Sequence, residues 1–565
     1  MIPSLLLALT VTLQAPTDSI AIIPRPVTVV RHPGHFTLRP RTAIMTTEAL
    51  KPLAVQLAAY LRPATGYDFV VTTSNRIPDA VEPDPAIIIL GLDSLLSGHG
   101  PESYSMDVTS SSVVIQGATP AAVFYGIQSL RQLLPPEIFR KAPVGNVRWT
   151  FPCLSIVDYP RFSWRGMHLD VSRHFMPKEF VEKYIDLISL YKFNRFHWHL
   201  TDDQGWRIEI TRYPRLTSVG GWRARTLVGK EPDDTSRAVY DSTRHGGFYT
   251  QEDIREVVAY ARARFVTIVP EIEMPGHSQA AISAYPELGS TGQPVKVKED
   301  WGVSEWILSP SDSTLAFMEN VLTEVMGLFP GKWIHTGGDE AVKTQWKASP
   351  LAQERIKSLG LKDEDALQGW FTARVDSFLA AHGRTLIGWD EILDGGLSPN
   401  AVVMSWRGID GGVAAAKAGH DVVMAPGDYT YFDHYQTGDR DSEPLAIGGF
   451  LPLDSVYSYD PVPAGLTPEQ ARHILGAQGQ IWTEYIPDPK HVEYMAFPRL
   501  EALAEALWIP RGTANFDDFF SRLSGADVAR LDALDVHYRT PALVTAVPPK
   551  GGRGGHRGGP KPRSR

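Results

Sequence analysis

The segment "WIHTGGDE", residues 333–340, sets two adjacent carboxylic acids, Asp339 and Glu340, directly after two glycines. Paired carboxylic acids are the usual machinery of glycosidic-bond cleavage, because one can move a proton while the other meets developing positive charge. In most such enzymes the two acids come from separate strands and flank the scissile bond. Two acids on one strand end imply a different division of labour.

Further carboxylates and tryptophans, with one histidine, follow other apolar runs: Asp202, Asp203, Glu271, Glu273, His277, Trp389, Asp390, Glu391, Trp406, Trp482 and Glu484. A tryptophan offers its face to the C–H side of a sugar ring, and carboxylates bind hydroxyls and transfer protons. The elements needed to bring these residues together are legible from about residue 155 onward. There "RGMHLDV", "FNRFHWHL", "FVTIVPEI", "WIHTGG", "TLIGWD", "AVVMSW", "DVVMAP" and "LGAQGQIW" read as strands. Amphipathic helices lie between several of them, such as "PKEFVEKYIDLISLYK", "TQEDIREVVAYARARF" and "LQGWFTARVDSFLAAHG". The pattern predicts an α/β fold, a (β/α)8 TIM barrel with its active site at the carboxyl ends of the strands.

Ahead of it, "PVTVV", "DFVVTT", "AIIIL" and "SVVIQG" read as strands, and "LKPLAVQLAAYLR" and "PAAVFYGIQSLRQLL" as helices. A smaller α/β domain without obvious catalytic residues is therefore expected over residues 17–152. The barrel, with a helical extension after its last strand, is expected over 153–546.

Both ends differ from these domains. The opening "MIPSLLLALTVTLQAPTDS" has an apolar run through Leu13 that is too short to span a bilayer, with small residues near Ala15. Residues 1–16 thus read as a signal peptide and place the protein in the periplasm or outside the cell; without that function the chain stays cytoplasmic. No later segment reads as a membrane helix. Residues 547–565, a basic glycine-rich run with little to bury, are expected to be disordered.

The formal net charge of -9 and pI near 6.0 provide no basic field for a phosphate backbone, so no nucleic-acid partner is expected and a small neutral substrate fits better. Cys153 is the only cysteine, which rules out an intrachain disulfide and cysteine-based zinc sites and, for an exported chain, points to a bacterial source.

"HTGGDE", together with "PRFSWRGMHLDVSRHF", "FHWHLTDDQGWRIEI", "PEIEMPGHS" and "GWDEI", resembles glycoside hydrolase family 20, the β-N-acetylhexosaminidases. The resemblance covers about Arg161 to Trp508, and the preceding domain also looks like that family's non-catalytic domain. It implies substrate-assisted cleavage of terminal N-acetylglucosamine or N-acetylgalactosamine from oligosaccharides or glycoconjugates, chitin fragments among them, without a cofactor or metal. The sugar's own acetamide oxygen is then the nucleophile, which frees both acids to come from one strand end.

The same resemblance implies roles residue by residue. Glu340 is the general acid and later base, and Asp339 orients the acetamide. Asp202 and His277 form a pair tuning the acid, with Asp203 a rival for the aspartate. Trp389, Trp406 and Trp482 wall the acetamide pocket, and Tyr431 hydrogen-bonds the acetamide oxygen. Arg165, Asp433 and Glu484 bind sugar hydroxyls. Burial and neighbouring negative charge are expected to raise the pKa of Glu340. The glycines before the pair are expected to let the backbone approach the ligand.

Two other readings use the same residues. "HWH", with His197 and His199, looks like the start of a metal-dependent barrel hydrolase, but "MAPGD" and "GQIWTE" do not supply the later ligands in order. A carbohydrate-binding protein on a decayed barrel would keep the tryptophans and lose the acid pair, and both acids are present.

Overall fold

The computed structural model describes residues 20–74, 86–232 and 234–542. The expected leader and tail lie outside these residues.

The first domain is a seven-stranded mixed sheet. Its strands are β1 (Thr28–Thr37), β2 (Ala43–Thr46), β3 (Val70–Thr73), β4 (Ile87–Leu92), β5 (Tyr104–Val108), β6 (Ser112–Gly117) and β7 (Thr150–Asp158), in the order β1-β7-β5-β6-β4-β2-β3. Helices α1 (Lys51–Thr65) and α2 (Pro120–Leu133) pack on it. Helix α2 starts where Thr119 accepts a hydrogen bond from the backbone N–H of Ala122 and Pro120 occupies the first turn. The predicted strands and helices are all present, with β2, β5 and β7 in addition.

Strand β7 corrects the boundary read at 152/153, which falls inside it. Its residues Phe151, Cys153, Leu154 and Ile156 are buried in the sheet, and it pairs along its length with β1 and over Leu154–Asp158 with β5. The first domain therefore runs to about residue 158.

The second domain is a closed parallel barrel of the eight predicted strands: β8 (Trp164–Asp170), β9 (Arg195–His199), β10 (Thr267–Glu271), β11 (Trp333–His335), β12 (Thr385–Trp389), β13 (Val402–Ser405), β14 (Val422–Met424) and β15 (Ile474–Gly479). Closure comes from β15 pairing with β8, Gly476 opposite Trp164. All seven residues of β8 are buried, as expected for a parallel strand covered on both faces. Helices α3 (Lys178–Leu190), α4 (Gln251–Arg262), α5 (Asp312–Leu328) and α6 (Glu364–Ala381) lie between strands. Helix α4 begins with a capping box in which Thr250 and Asp253 bind each other's backbone N–H.

The expected helical extension follows β15 and helps join the domains. Asp158, at the end of β7, accepts hydrogen bonds from Tyr104 (2.7 Å), Lys192 (2.9 Å) and the indole N–H of Trp508 (2.7 Å). Arg522 and Arg530, in the last helices, donate to the backbone carbonyls of Ile22 and Ala21. These contacts gather near the amino-terminal ends of β8 and β9 and leave the opposite mouth of the barrel clear.

Candidate active site

Strand β11 ends at His335, and the chain then turns sharply through the acid pair. Gly337, Gly338 and Glu340 all have positive φ, at 64°, 101° and 45°. A non-glycine residue in that region is sparsely populated and strained, a feature that clusters at functional sites. Gly337 serves a purpose other than the one expected. A Cβ at Gly337 would fall 1.7 Å from Oε2 of the buried Glu273, so this glycine makes room for a neighbouring acid rather than for a ligand.

His277, on the loop after β10, organises the pair. Its Nε2 lies 3.5 Å from Asp339 Oδ2 and 3.6 Å from Glu340 Oε2. Its Nδ1 lies 3.1 Å from Asp202 Oδ1 and 3.3 Å from Asp203 Oδ2. The choice between Asp202 and Asp203 resolves in favour of Asp202 as the hydrogen-bonded partner. Asp203 flanks the ring and accepts the backbone N–H of Gln279. Burial opposes charging the ring, but Asp202 and Asp339 outweigh it and hold His277 well above the usual histidine range.

That imidazolium corrects the expectation for Glu340. Burial pushes this carboxyl up, yet the hydrogen bond and charge of His277, with Arg173 beyond, hold it below the usual glutamate range. The sequence shows the neighbouring acid but not the cation facing it. Asp339 goes the other way: burial pushes it up to about 7, with His277 pulling against that rise and Glu271 and Glu340 adding to it.

The pocket above the pair has a volume of about 300 Å³. Trp389, Trp406, Trp482, Tyr431, Asp433 and Glu484 all line it, as expected. Trp389 and Trp482 stand 5.8 Å apart at 45°, and Trp406 stacks on Tyr431 at 6.2 Å and 21°. The two indoles are locked by N–H donation, Trp389 to Glu271 (2.8 Å) and Trp406 to Glu391 (2.9 Å). Asp339 Oδ1, Asp433 Oδ1 and Glu484 Oε2 are buried without a protein partner. Buried polar atoms are normally hydrogen-bonded, so these mark where a polar ligand belongs.

Arg165 is not in the pocket, which corrects its expected role. It sits at the amino-terminal end of β8, buried, and binds Glu102 of the first domain (2.8 Å), Tyr125 (3.2 Å) and the carbonyl of Lys192 (2.9 Å). The pocket arginine is Arg173, three residues beyond the carboxyl end of β8, at 2.8 Å from Asp202 and with its guanidinium 5.0 Å from the Trp482 ring centroid. The signal was present in "RGMHLDVSRH", since the strand-end rule points past Asp170 and not to the strand's second residue. His434 and the 447–449 loop, which also line the pocket, carried no comparable signal.

The two arginines should separate cleanly by measurement. Arg173→Ala is expected to lower kcat/KM about 10- to 100-fold, the equivalent of one charged hydrogen bond. Arg165→Ala should leave kcat/KM nearly unchanged and lower the unfolding temperature. Its cost is expected near the low end of about 3–5 kcal/mol for breaking a buried pair, because Glu102 remains 19% exposed. A kinetic defect in Arg165→Ala exceeding that of Arg173→Ala would reverse the assignment.

The "HWH" histidines face the barrel interior below this pocket. His168, His197 and Glu271 offer atoms close enough together to hold a cation. Their proton arrangement does not fit one. His197 Nδ1 accepts the amide of Gln478 (2.8 Å), so its proton sits on Nε2 and faces Glu271 at 3.0 Å. His168 Nδ1 accepts the backbone N–H of Ile481, which likewise leaves the proton on Nε2. With the proton on Nε2 and Nδ1 already accepting, neither ring has a lone pair to give a metal.

Comparison with known proteins agrees with this geometry. Residues 162–511 match the model of the glycosyl hydrolase family 20 catalytic domain, and residues 19–159 match that family's domain 2. A beta-hexosaminidase of Porphyromonas gingivalis is 44% identical over 92% of this chain, which spans 64% of that relative's length. A beta-N-acetylhexosaminidase of Cellulomonas fimi is 31% identical, covering 89% of this chain and 93% of its own. Among solved structures, the family 20 beta-N-acetylhexosaminidase of Streptomyces coelicolor superimposes with a TM-score of 0.79 at 32% identity, over 93% of this chain and 98% of that one. With both domains matched in order and the acid pair set at a barrel strand end, the chain belongs to glycosyl hydrolase family 20.

Proposed function

We propose that this chain is an exo-acting β-N-acetylhexosaminidase that removes terminal non-reducing N-acetylglucosamine or N-acetylgalactosamine from oligosaccharides or glycoconjugates, retaining the anomeric configuration. The observation that carries this reading is the convergence of Asp339 and Glu340 on one nitrogen of His277. Adjacent acids from one strand end, both beside one imidazole and facing an aromatic pocket, suit a proton donor and an acetamide-orienting group rather than an acid and an enzymic nucleophile on opposite faces of the ring. The substrate's acetamide oxygen is left to attack the anomeric carbon.

In the first step the bond from C1 to the leaving oxygen breaks as the acetamide oxygen closes on C1, and Glu340 gives its proton to the leaving oxygen. Asp339 faces the positive charge that develops on the oxazolinium ring. In the second step Glu340 takes a proton from water, which attacks C1 and reopens the ring. The tryptophans exclude water from the acetamide, Tyr431 holds its oxygen, and Arg173, Asp433 and Glu484 bind the outer hydroxyls. The pocket volume lies at the bottom of the usual ligand-site range of about 300–1,000 Å³, which suits one terminal sugar and hence exo cleavage. A structural relative in Vibrio harveyi, an exo beta-N-acetylglucosaminidase at 32% identity and TM-score 0.78, is described in complex with N-acetylglucosamine. A neutral oligosaccharide, rather than nucleic acid, suits the net charge of -9.

The test is turnover of 4-nitrophenyl N-acetyl-β-D-glucosaminide with the first-formed anomer followed by NMR. A β product supports the reading, and inversion or no turnover contradicts it. The pH profile should add a second signature. His277 holds Glu340 low in the open pocket, and a bound sugar excludes water from it, which favours the protonated acid. The limb set by Glu340 is therefore expected at higher pH in kcat, which reports the complex, than in kcat/KM, which reports the free protein. Coincident limbs would contradict this.

We also propose export, on the strength of the apolar run near the amino terminus; the mass of the mature amino terminus, purified from a secretion-competent host, tests it. No helix among the described residues is long and apolar enough to cross a membrane.

A further inference from the structure

His199, the second histidine of "HWH", is fully buried, and both of its ring nitrogens meet carboxylates. Nδ1 is hydrogen-bonded to Glu271 Oε2, and Nε2 lies 2.9 Å from Asp202 Oδ2. A neutral imidazole carries one N–H, so in that form one of these contacts would set a nitrogen lone pair against a carboxylate lone pair. Only the imidazolium donates in both directions. Burial works against that charge, but Glu271 and Asp202 outweigh it and push His199 up to about 10.

The two carboxylates it joins each steer a residue of the pocket. Glu271, buried on β10, also accepts the indole N–H of Trp389 at 2.8 Å, and His197 and His335 lie 3.0 and 2.8 Å from it. Asp202 also holds His277 at 3.1 Å and Arg173 at 2.8 Å, and takes the backbone N–H of Asp203. Other groups around His199 come from neighbouring elements. From β8 there are the His168 ring at 5.7 Å and Asp170, and after β10 there is Glu273, with an oxygen within 4.8 Å. The Trp482 ring packs on it edge-on at 4.9 Å.

We propose that His199 is a positioning residue for the reaction, an imidazolium that ties the carboxylate orienting Trp389 to the carboxylate orienting His277. The acetamide wall and the acid pair are then set by one continuous buried chain, Trp389–Glu271–His199–Asp202–His277, ending at Asp339 and Glu340. A distortion at either end is felt at the other, so the pocket cannot form its acetamide wall without also placing the acid. This rests on the hydrolase reading above, because only turnover shows the coupling.

The experiment compares the parent with His199→Gln, Glu271→Gln and the double variant on 4-nitrophenyl N-acetyl-β-D-glucosaminide, with unfolding temperature recorded for each. Glutamine at 199 can donate to Asp202 but carries no charge and cannot donate to Glu271 as well. Each single variant is expected to lower kcat about 10- to 100-fold, the scale of one lost charged hydrogen bond. In His199→Gln the limb of kcat assigned to Glu340 should move to higher pH, because losing a buried positive charge raises the pKa of the carboxyls around it, with Glu340 reached through Asp202 and His277. The double variant should be less damaged than the product of the single losses, since the pair acts as a unit. Folded variants with the parent's kcat and pH limb, or losses that multiply independently, would overturn the proposal. Neutron diffraction from parent crystals near pH 7 needs no variant. Deuterium on both ring nitrogens of His199 is expected, and a bare nitrogen would overturn it. A parent without turnover would instead remove the hydrolase reading and this inference with it.

Discussion

Glu340→Gln is expected to lower turnover of N,N′-diacetylchitobiose by about 10²- to 10⁴-fold, the usual contribution of a positioned proton donor. The sugar leaving group needs that proton, because its departing oxygen is a strong base. A 4-nitrophenyl leaving group needs little help, so the same variant should lose far less on the aryl substrate. Glutamine preserves the shape of the side chain, and Glu340 is 40% exposed, so the fold is not expected to suffer. His277 loses one of the two acids near its Nε2 but keeps Asp202, Asp203 and Asp339 around the ring. Equal losses on the two substrates would argue against the acid role.

Asp339→Asn should behave differently. Its carboxylate is the more enclosed of the pair, at 13% exposed, with Oδ1 buried and without a protein partner. If that oxygen meets the acetamide N–H and the charge on the oxazolinium, the variant slows cleavage of both substrates alike, and the limb assigned to Glu340 stays visible though shifted. The substrate supplies the control. Replacing the N-acetyl group by hydroxyl should remove most activity from the parent, and Asp339→Asn should then cost little more. Strong coupling between a change in the ligand and a change in the protein is what two groups acting as one predict. A glycosyl adduct trapped on Asp339 would instead make it the nucleophile.

Much of this site was legible because the barrel imposes a rule: eight apolar runs give eight strands, and polar residues just past them meet at one mouth. Asp339, Glu340, His277 and the three tryptophans follow that rule, and the pocket brings them together. The rule fails where a side chain's partner comes from another domain. Nothing near Arg165 in the sequence reveals that Glu102, 63 positions earlier, neutralises it on the far side of the barrel. It fails again for charge. The acid beside Glu340 is visible in "GGDE", but the imidazolium that lowers its pKa comes from a loop after another strand. The strands missed in the first domain have the same origin. "AIMT" and "YSMDV" are short and mixed, and they become strands only because neighbouring strands offer them hydrogen bonds.

The proposed mechanism has the bound sugar's own acetamide oxygen attack C1. It is tested most directly by kcat/KM for a series of aryl glycosides whose N-acetyl group carries zero, one, two or three fluorines. Fluorine withdraws electrons from the carbonyl oxygen and changes its size little, so only nucleophilicity varies along the series. Substrate assistance predicts a steep fall with each fluorine added. A flat series would place the nucleophile on the protein or on water and contradict the mechanism.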